Sequence, residues 1–284
     1  MKTIAVIGAG TMGRGIAYAA ALGGYRTVLE DVSAPMLKQG MDWIEQSFNE
    51  GVTRGKVEAS VRDNALKQIS TAASPEEAVR EADLVIEAAP EDIKLKIELF
   101  TAFDKNTKPS AIFASNTTSL SITEMAAVTS RPDKCLGMHF FNPVPKMKLL
   151  EMVRAMETSE ETIAACREVG QRMGKEVVLI RESPGFITSR INAIIGNEAF
   201  NMLEAGVASA EDIDKALKLG LNHPMGPFEL IDLVGLDVRL NSMEYLHRTL
   251  GETYRPNPLL RQYVKAGRLG RKTGRGIYDY PKKP

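Results

Sequence analysis

The sequence predicts an α/β protein in which a mostly parallel sheet is followed by an all-helical C-terminal domain. Short apolar runs alternate with helical segments over roughly the first 180 residues, as in parallel sheets that are covered on both faces. From Phe186 onward there is no convincing strand before the last residues. We place the boundary near Pro184, so that residues 1–183 form the first domain and residues 184–284 the second.

The individual strands are predicted from runs rich in β-branched and other apolar residues. The first run leads directly into glycines and then into a helical segment at residues 16–22, which is the order strand, tight turn, helix. The predicted strands are Thr3–Ile7, Arg26–Glu30, 83–88, 111–114, 136–141, 149–153 and 177–180.

The interval between the second and third predicted strands, about 50 residues, is longer than a usual α/β connection. It contains apolar residues at helical steps of three and four: Leu37, Met41, Ile44, Phe48 and Val52. A second helical stretch follows near residues 61–68. We therefore expect a helical excursion from the sheet, and insertions of this kind often shape a substrate site.

The C-terminal domain is predicted to contain helices at 187–205, 211–219, 227–249 and 257–266. Ser209 with Asp212 resembles a capping arrangement at the start of the second of these helices. Residues 191–203 are apolar around much of the helix circumference. This helix should therefore be buried, either in its own chain or against another copy.

Composition excludes several classes of protein. The 284 residues contain 36 Lys plus Arg and 36 Asp plus Glu, so a net charge of zero predicts no nucleic-acid or acidic-membrane partner. No apolar run is long enough to span a membrane. Cys135 and Cys166 are expected to be core residues in a reducing compartment. The first predicted strand begins at Thr3, which leaves no room for a cleavable leader, so we expect a cytoplasmic protein.

A glycine-rich segment, GAGTMG at residues 8–13, joins the first predicted strand to the first helix. It fits the pattern G-x-G-x-x-G in the context that a Rossmann-type domain requires. The three glycines permit a tight turn, close approach to a pyrophosphate, and close packing of helix on strand. We expect the backbone of Gly8, Gly10, Thr11, Met12 and Gly13 to bind a dinucleotide at the start of the helix.

An acidic residue at the end of the second predicted strand indicates which dinucleotide binds. Asp31 lies 18 residues beyond Gly13. A carboxylate there accepts hydrogen bonds from the ribose hydroxyls and repels the 2′-phosphate of NADP, so the predicted cofactor is NAD. Glu30 competes for this role, but strand alternation is expected to direct it to the other face.

A histidine and a glutamate lie in neighbouring predicted strands. His139 is near the end of one strand, and Glu151 is embedded in the apolar run LLEMV. Pairing would satisfy both groups and would orient the imidazole as a general base. A core histidine beside an unrelated strand glutamate is the alternative, and spacing alone leaves both open. His223 and His247 are interpreted as structural, and no histidine spacing indicates a metal site.

Several blocks together resemble one family, the L-3-hydroxyacyl-CoA dehydrogenases, and within it the short bacterial 3-hydroxybutyryl-CoA dehydrogenases. The blocks are GAGTMGRGIA at 8–17, FASNTTSL at 113–120, GMHFFNPVPKMKLLEMV at 137–153, SPGFITSR at 183–190, NHPMGPFELIDLVGLD at 222–237 and GRKTGRGIYDY at 270–280. They cover nearly the whole chain. The resemblance implies an NAD-binding Rossmann domain and reversible oxidation of a 3-hydroxyacyl-CoA to a 3-ketoacyl-CoA. It also implies a homodimer formed through the helical domain.

The resemblance also implies roles for individual residues. His139 matches the catalytic base and Glu151 its orienting carboxylate. The positions that match NAD contacts are Glu91, Lys96, Asn142 and Lys272. Lys56 matches a CoA contact, and Arg54 is a second candidate for the CoA phosphates.

Two positions depart from the family pattern. Thr118 stands where the family has a serine beside the substrate, and Ser189 stands where it has an asparagine. Both keep a polar group, so we retain them as candidates for the reaction site. Either both replacements are neutral, or Thr118 carries the hydrogen-bond donor role and Ser189 contributes little.

Two other functions are considered. The chain could be a non-catalytic, crystallin-like relative that binds NAD, although His139, Glu151 and Asn142 are all present. It could also be a β-hydroxyacid dehydrogenase that acts on a free acid. That mechanism usually relies on a lysine of the helical domain, rather than on a His–Glu pair.

Overall fold

The computed structural model describes residues 1–281 and divides into two compact units, Met1–Ser183 and Pro184–Pro284. The strands, all in the first unit, are β1 Thr3–Ile7, β2 Arg26–Glu30, β3 Ile69–Ala72, β4 Leu84–Glu87, β5 Ile112–Ser115, β6 Cys135–Phe140, β7 Leu149–Arg154 and β8 Glu176–Arg181. The helices of this unit are α1 Thr11–Leu22, α2 Ala34–Thr53, α3 Ala59–Lys67, α4 Pro75–Val79, α5 Ile93–Asn106, α6 Ile122–Ala126 and α7 Glu160–Arg172. Those of the second unit are α8 Thr188–Glu204, α9 Ala210–Gly220, α10 Pro227–Val234, α11 Leu236–Leu250 and α12 Pro258–Lys265.

The strands form one sheet in the order β3-β2-β1-β4-β5-β6-β7-β8. Neighbouring strands are parallel except β6 and β7, which are antiparallel. The predicted fold class, a mostly parallel sheet with a helical C-terminal region, is confirmed. Because the chain reverses its direction of travel across the sheet between β1 and β4, their carboxyl ends border a crevice of the kind that binds ligands.

Alternating side chains of the central strands build two separate cores. Ile4 and Val6 of β1 belong to the core under α1 and α2, whereas Ala5 and Ile7 belong to the core on the opposite face. All four are buried. Since both faces of the sheet are covered, these strands contain almost no polar residues, which is why the sequence shows them clearly.

The predicted helical excursion is confirmed as α2 and α3. The aromatic ring of Phe48 on α2 lies 4.1 Å from that of Tyr18 on α1, and Phe48 is fully buried. Cys135 and Cys166 are both buried and form no disulfide, as predicted. Within residues 1–281, no helix is long and apolar enough to cross a membrane.

Two elements differ from the prediction. Strand β3 was not predicted, because it is a four-residue edge strand whose middle residues are exposed and whose composition is polar. The helix predicted at 227–249 is two helices, α10 and α11, separated by Gly235. That glycine adopts φ +110°, a conformation that interrupts a helix and that other residues rarely adopt.

Ser209 caps α9 as predicted, since its hydroxyl accepts a hydrogen bond from the Asp212 N–H at 3.1 Å.

Candidate active site

Most of the predicted site residues of the first unit lie near one edge of the sheet. The strands β1, β2, β4, β5 and β6 are mutually parallel, so their carboxyl ends share this edge. Parallel strands place the segments that follow them next to one another, and binding groups of α/β proteins are commonly found there.

The glycine segment after β1 has a geometry that only glycine permits. Gly8 adopts φ +102°, and a Cβ atom at Gly13 would lie 1.7 Å from the carbonyl oxygen of Gly8. A Cβ atom at Gly10 would instead meet nothing within 4 Å. Helix α1 has no side-chain hydrogen bond at its N-cap, so its first N–H groups are available to an anion.

A cavity of about 590 Å³ adjoins this segment, between the ends of β1 and β4. Its wall includes Gly8, Gly10, Thr11 and Met12 on one side and Ala88–Pro90 on the other. The remaining lining is mainly apolar. An uncapped helix start beside an apolar slot fits a pyrophosphate joined to a flat aromatic base, as in a dinucleotide.

Asp31 lines the same cavity and is held in place by the backbone. Its two carboxylate oxygens accept hydrogen bonds from the N–H groups of Ala9 and Ser33, each at 2.9 Å. The contact with Ala9 ties the end of β2 directly to the glycine segment. The carboxylate is therefore oriented at the point where the ribose of a dinucleotide would lie.

Glu30 also lines this cavity, although the sequence suggested that only Asp31 would face the cofactor. The cavity is lined by residues on both sides of the end of β2. Glu30 therefore contributes to its wall even though its side chain points to the other face from Asp31. Glu30 is only 2% exposed. Burial, and secondarily the neighbouring carboxylate of Asp31, raise the pKa of Glu30 to about 7.

This shift predicts that folding stability depends on pH. Glu30 has a pKa of about 7 in the folded chain against 4.5 for an unperturbed glutamate, so folding favours its protonated form. The free energy of unfolding should therefore fall as the pH rises between these two values. Urea unfolding of the wild type and Glu30→Gln across this range measures the effect. We expect Glu30→Gln to show a flatter profile, and identical profiles would contradict the prediction.

His139 and Glu151 are direct cross-strand neighbours in the antiparallel pair β6 and β7. The Nδ1 atom of His139 lies 2.8 Å from Oε2 of Glu151, and both side chains are almost completely buried. The predicted contact between the two is thus present. A buried carboxylate at Nδ1 fixes the tautomer and stabilises the imidazolium form, so this pair is able to hold and release a proton through Nε2.

A second buried charge network follows β4. The ammonium group of Lys96 on α5 donates to Glu87 Oε1 at 2.7 Å and lies 3.5 Å from Glu91 Oε2. Glu87 also accepts a hydrogen bond from the Ser115 hydroxyl at 2.5 Å, and burial raises its pKa. Sequence reasoning missed Glu87, although a carboxylate in the apolar run DLVIEA is the same signal that identified Glu151.

Glu91 connects this network to Thr118. Its Oε1 atom accepts hydrogen bonds from the hydroxyls of Thr117 and Thr118 and from the N–H of Thr118, at 2.5 to 3.0 Å. The structure therefore brings Glu91, Lys96 and Thr118 together, as three of the predicted site residues. The hydroxyl of Thr118 therefore already donates to a protein acceptor, Glu91.

The other predicted residues take no part in these contacts. Asn142 is exposed, just after β6. Arg54 and Lys56 are exposed at the end of α2, where Arg54 pairs with Glu50 at 3.2 Å. In the second unit, Ser189 lies in the first turn of α8, and the Lys272 ammonium group pairs with Asp237 at 2.6 Å.

Together, the sheet order and the glycine segment at the switch point define a dinucleotide-binding protein of the Rossmann class, and the buried His–Glu pair is a candidate acid–base group. Comparison with known proteins makes the assignment specific. The family model for the NAD-binding domain of 3-hydroxyacyl-CoA dehydrogenase matches residues 3–183, and that for its C-terminal domain matches residues 185–280.

Individual relatives are similar over the whole chain. The 3-hydroxybutyryl-CoA dehydrogenase of Bradyrhizobium diazoefficiens is 46% identical over 281 residues, which cover 99% of this chain and 96% of the relative. The human mitochondrial hydroxyacyl-coenzyme A dehydrogenase is 40% identical, with 99% and 91% covered. The crystal structure of (S)-3-hydroxybutyryl-CoA dehydrogenase from Ralstonia eutropha has a TM-score of 0.95 at 43% identity, covering 99% of this chain and 100% of that one. This chain therefore belongs to the 3-hydroxyacyl-CoA dehydrogenase family, and its first unit is an NAD-binding domain.

Proposed function

We propose that this chain interconverts (S)-3-hydroxyacyl-CoA and 3-ketoacyl-CoA with NAD, and that 3-hydroxybutyryl-CoA is the favoured substrate. The observation that carries the proposal is the buried contact between His139 and Glu151, at the sheet edge where the glycine segment also lies. The relatives' names supply the substrate class.

Holding the cofactor is the role of the first unit. The N–H groups at Gly10, Thr11 and Met12 bind the pyrophosphate, and Asp31 binds the adenosine ribose. Bound NAD⁺ supplies the hydride acceptor for oxidation of the alcohol carbon. Among the positions implied by the family resemblance, Glu91, Lys96 and Asn142 belong to this unit and serve the cofactor. Lys272, in the second unit, is assigned to the cofactor by the resemblance alone. In this role Lys96 acts through Glu91, because its ammonium group is already engaged by protein oxygens.

The proton is handled by His139. With Nδ1–H donating to Glu151, the Nε2 atom accepts the proton of the 3-hydroxyl group during oxidation. It returns that proton to the carbonyl oxygen during reduction. Glu151 stabilises the imidazolium that forms in between and prevents the ring from rotating.

The remaining roles concern the substrate. Arg54 and Lys56 are exposed cations, which suits contact with the phosphates of CoA. The family resemblance assigns Thr118 to the substrate. Its hydroxyl donates to Glu91 at 3.0 Å, so it must turn away from Glu91 to serve as a donor to the reacting carbonyl. Ser189, at the start of α8, is the weaker contributor, because its side chain is shorter than the asparagine of the family pattern.

The proposal is tested by mixing the purified chain with NADH and acetoacetyl-CoA and following the loss of NADH absorbance. Consumption of NADH is expected with acetoacetyl-CoA, and weaker activity with longer 3-ketoacyl-CoAs. Free acetoacetate with NADH, and free 3-hydroxybutyrate with NAD⁺, serve as controls. Turnover of the free acids at equal rates would favour the β-hydroxyacid alternative. NADH binding without any turnover would favour a non-catalytic protein.

Cofactor choice gives a second measurement. Asp31 should make NADH strongly preferred over NADPH, because its negative charge repels the 2′-phosphate. Asp31→Ala should weaken NADH binding by about 10-fold or more, since it loses hydrogen bonds to a charged group, and should narrow the gap between the two cofactors. Binding titrations followed by NADH fluorescence measure both affinities. Equal use of the two cofactors by the wild type would contradict the prediction.

A homodimer formed through the second unit is also part of the proposal. Four aliphatic residues near the start of α8 and at the junction of α10 and α11 are 43% to 56% exposed in the single chain: Ile187, Ile191, Val234 and Val238. Apolar surface of this kind favours association.

Light scattering should give twice the chain mass of 31.1 kDa, and Ile191→Glu should reduce the measured mass toward that of one chain. Met156→Glu, at an exposed site of the first unit, is the control. A single-chain mass for the wild type would rule out the dimer.

A further inference from the structure

Glu30 is a buried residue of the cavity lining, and one of its carboxyl oxygens is unsatisfied. Its side chain is 2% exposed, and within residues 1–281 its Oε1 atom has no hydrogen-bond partner. Leaving a buried polar oxygen without a donor is unfavourable, so such atoms are commonly satisfied by a ligand or by water. Nothing in the proposed proton transfer uses Glu30.

The cavity around Glu30 fits a flat aromatic group. Apolar side chains from α4, α5 and the end of β2 line it, among them Pro75, Leu95, Leu99 and Val32. Only three polar side chains of the described residues contribute to its wall: Thr11, Glu30 and Asp31. An aromatic base in this cavity would therefore find few side chains able to form a hydrogen bond with it.

The two adjacent carboxyl groups lie on different sides of β2. Asp31 is bound to the backbone of the glycine segment through Ala9. Glu30 lies two residues beyond Val28, which packs into the core on the other face, and alternation along the strand therefore places both on that side. Pro75 begins α4 on this side and also lines the cavity. A dinucleotide with its ribose at Asp31 would therefore place its base towards Glu30.

We propose that Glu30 recognises the adenine base of NAD by accepting a hydrogen bond from its exocyclic amine. The inference rests on the proposed function, since it places NAD in this cavity. It goes further by making Glu30 a specificity-determining residue for the base, distinct from Asp31, which binds the ribose.

The protonation state of Glu30 strengthens this recognition. The adenine edge presents a donor, the amine, beside an acceptor, a ring nitrogen. A protonated carboxyl group presents an acceptor beside a donor, and a glutamine amide does the same, which is why amides pair with adenine through two hydrogen bonds. Burial and the carboxylate of Asp31 raise the pKa of Glu30, the N–H of Gly8 lowers it by less, and Glu76 on α4 adds a smaller repulsion. With a pKa of about 7, the acid form and the carboxylate are both present at neutral pH.

The experiment compares two ligands and three proteins. NADH and its etheno-adenine analogue, in which an added ring occupies the amine and the adjacent ring nitrogen, are titrated by fluorescence into the wild type, Glu30→Gln and Glu30→Val. Glu30→Val should weaken NADH binding by about 10-fold and change binding of the analogue by less than about 2-fold. Glu30→Gln should retain NADH affinity. Asp31→Ala is the matched control and should weaken both ligands by the same factor.

A pH series gives an independent readout. The affinity of the wild type for NADH should fall as the pH rises through about 7, because the carboxylate loses the donor that pairs with the ring nitrogen, whereas Glu30→Gln should show a flatter profile. If Glu30→Val weakens both ligands equally, or weakens neither, the inference is wrong. The result is separable from the proposed function: equal NADH binding by all three proteins rejects only the role of Glu30, whereas failure of every protein to bind NADH rejects the cofactor site itself.

Discussion

His139→Gln is expected to lower kcat by a factor of about 10² or more, while NADH binding and folding are retained. Glutamine preserves a hydrogen-bonding group towards Glu151 but cannot take up the proton of the 3-hydroxyl group. The measurement is steady-state turnover of acetoacetyl-CoA with NADH, combined with a fluorescence titration of NADH. Glu151→Gln should also slow turnover, because the imidazolium loses its negatively charged partner.

A matched control is available in the second unit. His247 contacts Glu252 at 3.0 Å in an exposed position, so His247→Gln changes the same residue type and removes the same kind of His–Glu hydrogen bond. It should leave kcat unchanged. Near-normal turnover by His139→Gln would mean that another group moves the proton, and the buried His–Glu pair would then be a structural feature of the sheet.

Lys96→Met is expected to lower the free energy of unfolding by about 3–5 kcal/mol, more than any other substitution proposed for this chain. The ion pair between Lys96 and Glu87 is almost fully buried, with 1% and 0% side-chain exposure. Removing the ammonium group leaves a carboxylate in the core with only the Ser115 hydroxyl and the Ala89 N–H as donors. Urea unfolding followed by circular dichroism measures the difference.

The double variant Glu87→Gln/Lys96→Met separates the buried charge from the loss of packing. It should recover much of the stability, because a neutral amide does not require a counter-charge in the core. Lys94→Met, on an exposed face of the same helix, is the control and should change stability by less than about 0.5 kcal/mol. A loss in Lys96→Met no greater than in Lys94→Met would show that the buried pair does not stabilise the fold.

Much of the fold was predictable because its signals are local. The central strands are covered on both faces, so they appear as short apolar runs, and the helical excursion shows regular apolar spacing. Strand β3 gave no such signal. It is polar and at the edge of the sheet, and it is a strand because β2 offers it hydrogen-bonding partners. At Gly235 the local signal was misleading. The sequence on both sides is helical, and only the backbone conformation of this glycine separates α10 from α11.

By itself, the sequence determined the alternation of strands and helices in the first unit, the glycine segment with Asp31, and the candidate pair His139 and Glu151. These depend on residue type and near neighbours along the chain. Only the tertiary structure decided which charges meet. The antiparallel register of β6 and β7 sets His139 against Glu151 at 2.8 Å, and the packing of α5 beside β4 buries Lys96 against Glu87. The structure likewise showed that Glu30 lines the cavity at the end of β2, which the sequence had not predicted. The physical reason is that strand register and helix packing are set by burial of the whole core, so the distances between side chains far apart in the chain follow from the complete fold.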